Sequence, residues 1–389
     1  MQSIKNLVIK KNGMPDFKAM RIGMKHEQVV PVIFKRFPEL QNRIPWLHLG
    51  VEPTPVERLE GFGYDRLWIK RDDLASPLYG GNKVRKLEFI LGMAVTKKKR
   101  RVITMGAIGS NHGLATAIYC RKLGLGCTVL LFDQPITSYV KKNLRLIHAY
   151  NAEIVYGRSI LRTALDFSIR QRFKYPKAYF LKAGGSNVWG TIGIINAAFE
   201  LKEQVEQAMM PEPDYIFCPV GSNGTIAGLH LGCMLAGLKT VVIGVRVLME
   251  CFGPFEVCTA RKVQILACKT GQYLKTFISN FDKVTIPKPY LIGDYFGDGY
   301  GQPTQKGGES LKIMKDKKGL SLDPCYTAKT FAAVLDFCKE NRDSNKTVLF
   351  WNTYNSTNLQ QKLSQSKATE MPLELGEILA ADEVDIYTK

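Results

Sequence analysis

Short apolar runs alternate with longer helix-like segments along the chain from Arg101 onward. The runs that predict β-strands are VITMG (102–106), CTVLLF (127–132), EIVY (153–156), AYFL (178–181), YIFCPV (215–220), TVVIGVRV (240–247) and TVLFW (347–351). Most of them are continuously apolar rather than alternating, which is typical of parallel strands that helices cover on both faces. The pattern therefore predicts an α/β fold of open, twisted, mostly parallel sheets with helices on both faces.

Three uncharged stretches of the chain each contain the tripeptide Gly-Ser-Asn, at residues 109–111, 185–187 and 221–223. Gly and polar residues interrupt the middle of each stretch, which argues against a transmembrane segment. The first and third tripeptides follow a predicted strand and open a helical pattern, and this is where ligands bind in open α/β sheets. We therefore predict that they belong to ligand-binding loops.

Composition and charge fit a globular protein of several domains. The chain has 389 residues, 45% of them hydrophobic, enough to bury a substantial core in about two or three domains. The 54 Lys and Arg against 35 Asp and Glu give a net charge of +19, with the densest basic run at 97–101. This run follows a helical pattern, and cations are favourable at helix C-termini. We therefore interpret it as a solvated helix end rather than a nucleic-acid site.

The cysteine and histidine positions argue against a structural metal site. The nine Cys include no C-x-x-C pair and the five His are scattered, whereas zinc sites need closely spaced ligands. The N-terminal segment has no continuous apolar run of the kind found in signal peptides. We therefore expect a cytoplasmic protein with reduced thiols, no metal and no membrane partner.

A glycine pair precedes a cluster of cations at the start of a predicted helix. The turn Tyr79-Gly80-Gly81-Asn82 is followed by Lys83, Arg85 and Lys86. Glycines permit a close approach of the backbone to a flat ligand. A partly desolvated lysine near other cations has a lowered pKa, which makes its amine a nucleophile towards aldehydes. Lys83 is therefore a candidate nucleophile, with an ordinary surface lysine as the alternative.

A second glycine-rich turn, Gly221–Thr225, ends an apolar strand and opens an apolar helix. Such a helix start presents free backbone N–H groups and a positive dipole end to a phosphate. The turn matches neither the Walker nor the dinucleotide-binding pattern, so a tight turn without a ligand remains open. Ser110, Asn111 and His112 repeat this arrangement, with helix capping as the alternative.

Three tyrosines, Tyr295, Tyr300 and Tyr326, lie in polar segments rich in Gly or Pro. A tyrosine in a ligand loop can stack on a ring or transfer a proton, whereas a core tyrosine only bonds through its hydroxyl. Both interpretations stay open for these residues on the local sequence.

Six motifs together resemble one known enzyme family. In chain order they are KRDDL…GGNKVRKLEF, GSNH, AGGSNVWGTIG, GSNGT, GDGYGQPT and LDPCYTAKT, between about Pro53 and Ser356. The chain is similar to the pyridoxal-phosphate-dependent family of 1-aminocyclopropane-1-carboxylate deaminases and D-cysteine desulfhydrases. The resemblance implies the tryptophan-synthase-β-like fold (fold type II), pyridoxal 5'-phosphate as cofactor, a small amino-acid substrate and a homodimer.

The resemblance also implies the residues that hold the cofactor. Lys83 stands at the position of the lysine that forms the Schiff base and moves the Cα proton. Asn111 matches the residue bonded to the phenolic oxygen, and Thr327 matches the residue facing the pyridine nitrogen. The other implied cofactor contacts are Asn82, Lys86 and the backbone of Gly221, Ser222, Asn223, Gly224 and Thr225.

The same resemblance implies the catalytic and substrate-binding side chains. Ser110 matches the hydroxyl beside the substrate, and Tyr300 and Tyr326 match the two active-site tyrosines. With Ser110, the implied substrate contacts are Asn111, His112 and Tyr300.

Two positions bear on the choice of substrate. Deaminases that open the cyclopropane ring resemble one another at both positions. They have Glu where this chain has Thr327, and Gln where this chain has His112. A carboxylate keeps the pyridine nitrogen protonated and makes a deep electron sink, which a neutral hydroxyl does not readily do. A shallower sink suits β-elimination, because the carbanion is relieved when the leaving group departs. We therefore favour elimination from a β-substituted amino acid.

One segment departs from the family pattern, since Asn352-Thr353-Tyr354-Asn355 stands where the family has His-Thr-Gly-Gly. Tyr and Asn in place of two glycines are expected to fill space near the cofactor, so the substrate need not be D-cysteine.

The predicted reaction is α,β-elimination from a small β-substituted amino acid, giving a 2-oxo acid and ammonia. One alternative is a deaminase of 1-aminocyclopropane-1-carboxylate, and another is a β-replacement or threonine-synthase-like lyase. A third, from another class, is a basic nucleic-acid-binding protein with a vestigial site, which the concentration of motif residues disfavours. We therefore expect no nucleic-acid partner.

The expected architecture has three parts. Residues 1–28 form a basic arm, residues 29–82 and 191–389 form a larger cofactor-binding domain, and residues 83–190 form a smaller α/β domain. The cofactor is expected in the cleft between the domains, and the tail after Pro372 is expected to be weakly ordered.

Overall fold

The computed structural model of the chain describes residues 30–278, 285–365 and 371–386, so the arm predicted at 1–28 lies outside the described residues. The strands are β1 (Val56–Arg58), β2 (Leu67–Lys70), β3 (Arg101–Ala107), β4 (Gly126–Phe132), β5 (Glu153–Arg158), β6 (Tyr179–Leu181), β7 (Tyr215–Val220), β8 (Val241–Arg246), β9 (Cys251–Phe252), β10 (Phe255–Glu256), β11 (Tyr290–Ile292) and β12 (Val348–Trp351). The α-helices are α1 (Val32–Arg36), α2 (Asn82–Thr96), α3 (Asn111–Lys122), α4 (Ser138–Ala149), α5 (Ile160–Leu165), α6 (Gln171–Lys174), α7 (Val188–Glu206), α8 (Gly224–Leu235), α9 (Ala260–Lys275), α10 (Gln305–Lys318), α11 (Thr327–Glu340), α12 (Gln360–Ser364) and α13 (Leu373–Ala380).

Two sheets organise the chain. The larger has the order β1-β2-β12-β7-β8-β11 and the smaller has the order β5-β4-β3-β6. All neighbours pair in parallel except β1 with β2. The seven predicted strands are β3 to β8 and β12, each within two residues at either end, so the α/β class with mostly parallel sheets is confirmed.

The larger sheet is buried on both faces, which explains its continuously apolar strands. Ile216 in β7 packs in a core with Ile226 of α8. Its neighbour Phe217 points to the opposite face and packs with Phe331 of α11. Successive side chains of a strand alternate between faces, so a strand between two helical layers needs apolar residues at every position.

Helix α2 lies between the two sheets. Its Phe89 belongs to the core on one face of the larger sheet, and its Leu87, Ile90 and Leu91 belong to the core of the smaller sheet. The first turn of this helix, with Lys83, therefore lies where the two halves of the molecule meet. The division of the chain into domains at residues 82 and 190 stays a prediction.

The C-terminal tail departs from the expectation of weak order, since helix α13 packs against the smaller sheet. Leu375 and Ile378 of α13 are buried in the core of the smaller sheet, together with Ile147 of α4. Lys141 donates a hydrogen bond to the carbonyl oxygen of Ala381 at 2.6 Å. An apolar face on a short helix thus ties the tail to the smaller sheet. None of the helices in the described residues is both long enough and apolar enough to cross a bilayer.

Candidate active site

The carboxyl-terminal ends of β3, β4 and β7 border a cavity of about 370 Å³, which the starts of α2, α3 and α8 also line. This is the edge at which open parallel sheets bind ligands. Most of the residues predicted for the site line it, namely Asn82, Lys83, Ser110, Asn111, His112, Gly221, Ser222, Asn223, Thr225, Tyr300 and Tyr326. Lys86, Gly224 and Thr327 are buried and are not part of the cavity lining.

Lys83 is presented to the cavity by the glycine turn before α2. Gly81 has φ of +86°, and a Cβ on it would lie 2.7 Å from the carbonyl oxygens of Thr353 and Tyr354, so the turn requires glycine. The Lys83 ammonium donates to Asn82 Oδ1 at 2.8 Å. Burial lowers the pKa of Lys83 to about 8, against a smaller opposing effect of Asp323. A partly neutral amine near pH 8 is a nucleophile and a base.

The start of α8 forms an anion cradle. The Gly224 N–H donates to Ser186 Oγ at 3.1 Å, and the Ser186 hydroxyl donates to Ser222 Oγ at 2.8 Å. A Cβ on Gly224 would lie 2.5 Å from Ser186 Oγ and 3.0 Å from Lys86 Nζ. Because Gly224 has no side chain, the Lys86 ammonium and the hydroxyls of Ser186 and Ser222 come together at the N-terminus of α8. This set of hydrogen-bond donors suits a phosphate.

Lys86 is buried, and no carboxylate among the residues that the structure describes pairs with it; its Nζ donates to the carbonyl oxygen of Gly184 at 3.2 Å. Burial and the charge of nearby Lys83 hold the pKa of Lys86 well below its ordinary value. A phosphate dianion beside Lys86 would restore the charged form. Ser186 and Gly184 come from the second Gly-Ser-Asn segment, which the sequence analysis noted without assigning a role.

Ser110 and Asn111 open helix α3. Ser110 Oγ accepts a hydrogen bond from the Gly113 N–H at 3.0 Å, so its capping role and its place at the cavity coexist. Asn111 Oδ1 accepts bonds from Tyr79 and Asn143, each at 3.2 Å, and from the hydroxyl of Tyr139. These three donors fix the orientation of the Asn111 amide.

His112 lines the cavity as a neutral ring. Its Nε2 lies 3.0 Å from Thr104 Oγ1, whose hydroxyl proton is donated to the Leu181 carbonyl oxygen at 3.0 Å. Nε2 therefore carries the proton and Nδ1 is an acceptor, which has no partner in the part of the chain that the structure describes. Burial and the charges of Lys83 and Lys86 keep the pKa of His112 well below its ordinary value.

Tyr300 and Tyr326 form a hydroxyl pair at the cavity, with 2.6 Å between their oxygens. Burial raises the pKa of both phenols, so both are protonated at neutral pH. One hydroxyl donates to the other, which leaves one proton for a bound molecule. Tyr295, the third tyrosine of the sequence analysis, instead donates to Asp336 at 2.8 Å and is not part of the cavity wall.

Asp323 is a cavity residue that the sequence analysis missed. Its carboxylate accepts bonds from the N–H groups of Cys325 (3.1 Å), Tyr326 (2.7 Å) and Thr327 (3.2 Å) and from the Thr327 hydroxyl (2.8 Å). Thr327 is fully buried behind it, so its predicted contact with the pyridine nitrogen stays a prediction. The signal was an acidic residue just before a helix start, a pattern typical of capping.

The Asn352-Thr353-Tyr354-Asn355 segment braces the glycine turn from behind. The Asn82 N–H donates to the Thr353 carbonyl oxygen at 3.3 Å, and the Gly80 N–H donates to Asn355 Oδ1 at 2.6 Å. Of these four residues only Thr353 lines the cavity. Tyr354 packs beside Tyr139 with 5.9 Å between ring centroids. The two substituted residues thus support the turn rather than fill the cavity.

A buried ionic network holds α2 in place behind Lys83. Arg85 contacts Asp72 at 2.8 Å and Glu200 at 2.9 Å, and Lys70 contacts Glu200 at 2.5 Å. These cations lower the pKa of Glu200 to about 2 although burial opposes the shift. Because strand β2 supplies Lys70 and helix α7 supplies Glu200, the network joins α2 to the larger sheet.

Comparisons with known proteins show which family and which relatives this chain is similar to. Residues 47–353 match the protein family described as "Pyridoxal-phosphate dependent enzyme". A relative from Thermotoga maritima, provisionally named a 1-aminocyclopropane-1-carboxylate deaminase, is 34% identical over 79% of this chain and 95% of its own. The D-cysteine desulfhydrase of Klebsiella pneumoniae (strain 342) is 33% identical over 78% of this chain and 92% of its own.

The fold and the donor set point to the same family. The crystal structure of an ACC deaminase homologue superposes with a TM-score of 0.70 at 27% identity, over 87% of this chain and all of that one, so fold type II is confirmed. A buried amine of lowered pKa beside an anion cradle is the donor set that pyridoxal phosphate requires, because its aldehyde and its phosphate must be held together. The chain therefore belongs to the family of pyridoxal-phosphate-dependent enzymes.

Proposed function

We propose that this enzyme catalyses α,β-elimination from a β-substituted amino acid, releasing a 2-oxo acid, ammonia and the β-substituent. The observation that carries the proposal is the Lys83 amine, whose pKa is lowered to about 8 and which faces the same cavity as the Tyr300–Tyr326 pair. Bound pyridoxal phosphate supplies an aldehyde for the amine and a ring that takes up the charge left at Cα.

Lys83 and the anion cradle hold the cofactor in this proposal. Lys83 would hold the cofactor through its aldehyde, and the Lys83 amine would accept the Cα proton of the substrate. Lys86, Ser186, Ser222 and the Gly224 N–H bind the phosphate. Asn82 donates to Thr225 Oγ1 at 2.8 Å, which keeps the lysine turn and the cradle together.

The remaining cavity residues act on the substrate and the cofactor ring. Tyr300 and Tyr326 deliver a proton to the leaving group, since their pair holds one proton beyond its internal hydrogen bond. Ser110 hydrogen-bonds the substrate, and the oriented Asn111 amide faces the phenolic oxygen. Thr327 would face the pyridine nitrogen, and Asp323 fixes the orientation of its hydroxyl.

Elimination is favoured over ring opening because a neutral hydroxyl, that of Thr327, stands at the ring-nitrogen position. The Asp323 carboxylate lines the cavity but already accepts four hydrogen bonds, three from backbone N–H groups and one from the Thr327 hydroxyl. Deamination of 1-aminocyclopropane-1-carboxylate is the second candidate, supported by the name of the Thermotoga relative.

The purified enzyme with pyridoxal phosphate tests the proposal. D- and L-cysteine, O-acetylserine, β-chloroalanine and 1-aminocyclopropane-1-carboxylate are supplied in turn, and 2-oxo acid and ammonia are measured. Pyruvate from a β-substituted amino acid is expected. Dominant 2-oxobutyrate from the cyclopropane, or product that appears only when a thiol nucleophile is added, would overturn it.

We further propose that the enzyme is a homodimer, as the family resemblance implies, and that it acts in the cytoplasm, as its reduced cysteines suggest. Light scattering of the purified enzyme tests the first part, and fractionation of cells tests the second.

A further inference from the structure

One side of the active-site cavity is built from apolar side chains. Met105 and Phe132 line it from β3 and β4, Ala164 lines it from helix α5, and Leu248, Met249 and Val257 line it from the segment between β8 and α9. The charged side chains in the wall, among the residues that the structure describes, are Lys83 and Asp323, and the proposed reaction uses both. The apolar side therefore has no assigned role.

The apolar side continues to the cavity mouth. Phe252 and Phe255 of the β9–β10 hairpin line the cavity and are 40% and 70% exposed. In helix α5, Thr163 is buried inside the protein, whereas Ala164 borders the cavity. A ligand that covers apolar walls removes them from water, which favours its binding. A substrate as small as cysteine has only a thiol to offer to these walls.

We infer that the preferred substrate carries a bulky apolar group on its β-carbon, most simply an S-aryl or S-alkyl thioether. This inference rests on the proposed elimination. Lys83 removes the Cα proton, the Cβ–S bond breaks, and its electron pair leaves with sulfur, which takes a proton. With one water, R–S–CH₂–CH(NH₃⁺)–COO⁻ gives R–SH, pyruvate and NH₄⁺, with no oxidant or reductant required.

Binding isolates the role of the apolar walls from leaving-group chemistry. Homophenylalanine and 2-aminobutyrate are close in shape to S-phenylcysteine and cysteine but have no β-leaving group. Both enantiomers of each are titrated into the holoenzyme by calorimetry. We expect homophenylalanine to bind at least about tenfold more tightly than 2-aminobutyrate, because even single methylenes in apolar pockets alter affinity by about 10-fold or more.

Two substitutions and one matched control locate the effect. Ala164→Phe fills the apolar side and should lower the preference for homophenylalanine over 2-aminobutyrate at least about tenfold. Phe255→Ser removes apolar wall at the mouth and should lower this preference at least about fivefold. Leu161→Phe changes a residue of the same helix that is 61% exposed and should leave the preference unchanged. Equal affinities in the wild type, or a preference untouched by both substitutions, overturn the inference.

Turnover separates this inference from the proposed function. Pyruvate from cysteine but not from S-phenylcysteine, with equal binding of the two analogues, rejects the apolar substrate and keeps the elimination. The absence of pyruvate from every β-substituted amino acid rejects the elimination, while the binding preference still decides whether the apolar walls recognise their ligand.

Discussion

The hydroxyl of Thr327 donates to Asp323 Oδ2 at 2.8 Å, and the N–H of Asp323 donates back to the same hydroxyl oxygen at 2.8 Å. This reciprocal pair fixes the start of α11, where Tyr326 precedes Thr327. Burial raises the pKa of Asp323, although its four donors oppose the shift. The carboxylate thus orients one proposed catalytic residue and one proposed cofactor contact.

Asp323→Asn is therefore expected to lower kcat about 10- to 100-fold, since hydrogen bonds to a charged group contribute about 1.5–3 kcal/mol. The amide keeps the size of the side chain but presents an NH₂ group to N–H donors. Steady-state kinetics with thermal melting measures the effect. Asp336→Asn, outside the cavity wall, is the control, and equal activity of the two variants would contradict the positioning role.

Replacing Lys83 by Ala should abolish covalent attachment of the cofactor and lower kcat roughly 10²- to 10⁴-fold, because the base is lost. Borohydride reduction followed by mass spectrometry of peptides detects the attachment. Lys97→Ala changes an exposed residue at the other end of α2 and should retain it. Cofactor still reduced onto the Lys83→Ala protein would disprove the tether.

The rate at which apoenzyme condenses with pyridoxal phosphate should rise as pH increases through about 8 and then level off. Burial lowers the pKa of Lys83 to about 8, and only the neutral amine attacks an aldehyde, so lowering the pH below this value removes the reactive form. Stopped-flow absorbance measures the rate. An exposed lysine would instead give a rate that keeps rising towards pH 10.

Lys86→Ala should weaken binding of pyridoxal phosphate about 10- to 100-fold, because a charge-assisted contact to the phosphate is lost. Pyridoxal has no phosphate, so its affinity should change little. Equilibrium dialysis of the apoenzyme with each compound gives the ratio. A similar loss for both compounds would show that Lys86 acts on the fold rather than on the phosphate.

Glu200→Ala should cost about 3–5 kcal/mol of unfolding free energy, because Lys70 is left buried without its carboxylate and Arg85 loses one of its buried carboxylate partners. Urea unfolding measures the cost. Glu203→Ala, one turn along the same helix with a partly exposed side chain, should change stability by less than about 0.5 kcal/mol.

The same carboxylate predicts a pH dependence. The pKa of Glu200 is lowered to about 2 in the fold, against about 4.3 in an unfolded chain. Its contribution to stability is therefore present above the unfolded value and is lost as pH falls from about 4 towards 2. Glu200→Ala should flatten the stability profile in this range, and a profile of unchanged slope would contradict the assignment.

The local sequence predicted the buried parallel strands because each is a continuous apolar run, as in β7. It missed β2, which has four residues and ends in Lys70. That lysine is buried beside Glu200, 130 positions away, whose carboxylate neutralises its charge. It also missed α13, whose apolar face acquires a partner only after the tail has crossed to the smaller sheet.

Glycine turns determined most of the candidate site in the sequence itself, because a positive φ or a close backbone approach restricts a position to one residue type. The Gly80-Gly81 pair and the Gly221–Thr225 turn were recognisable for this reason. Only the tertiary structure brought Lys86 to the start of α8, oriented Asn111 with three donors, and placed Asp323 rather than Thr327 at the cavity. Local preferences fix turns and strands, whereas contacts between distant segments depend on how burial and charge are satisfied in the folded chain.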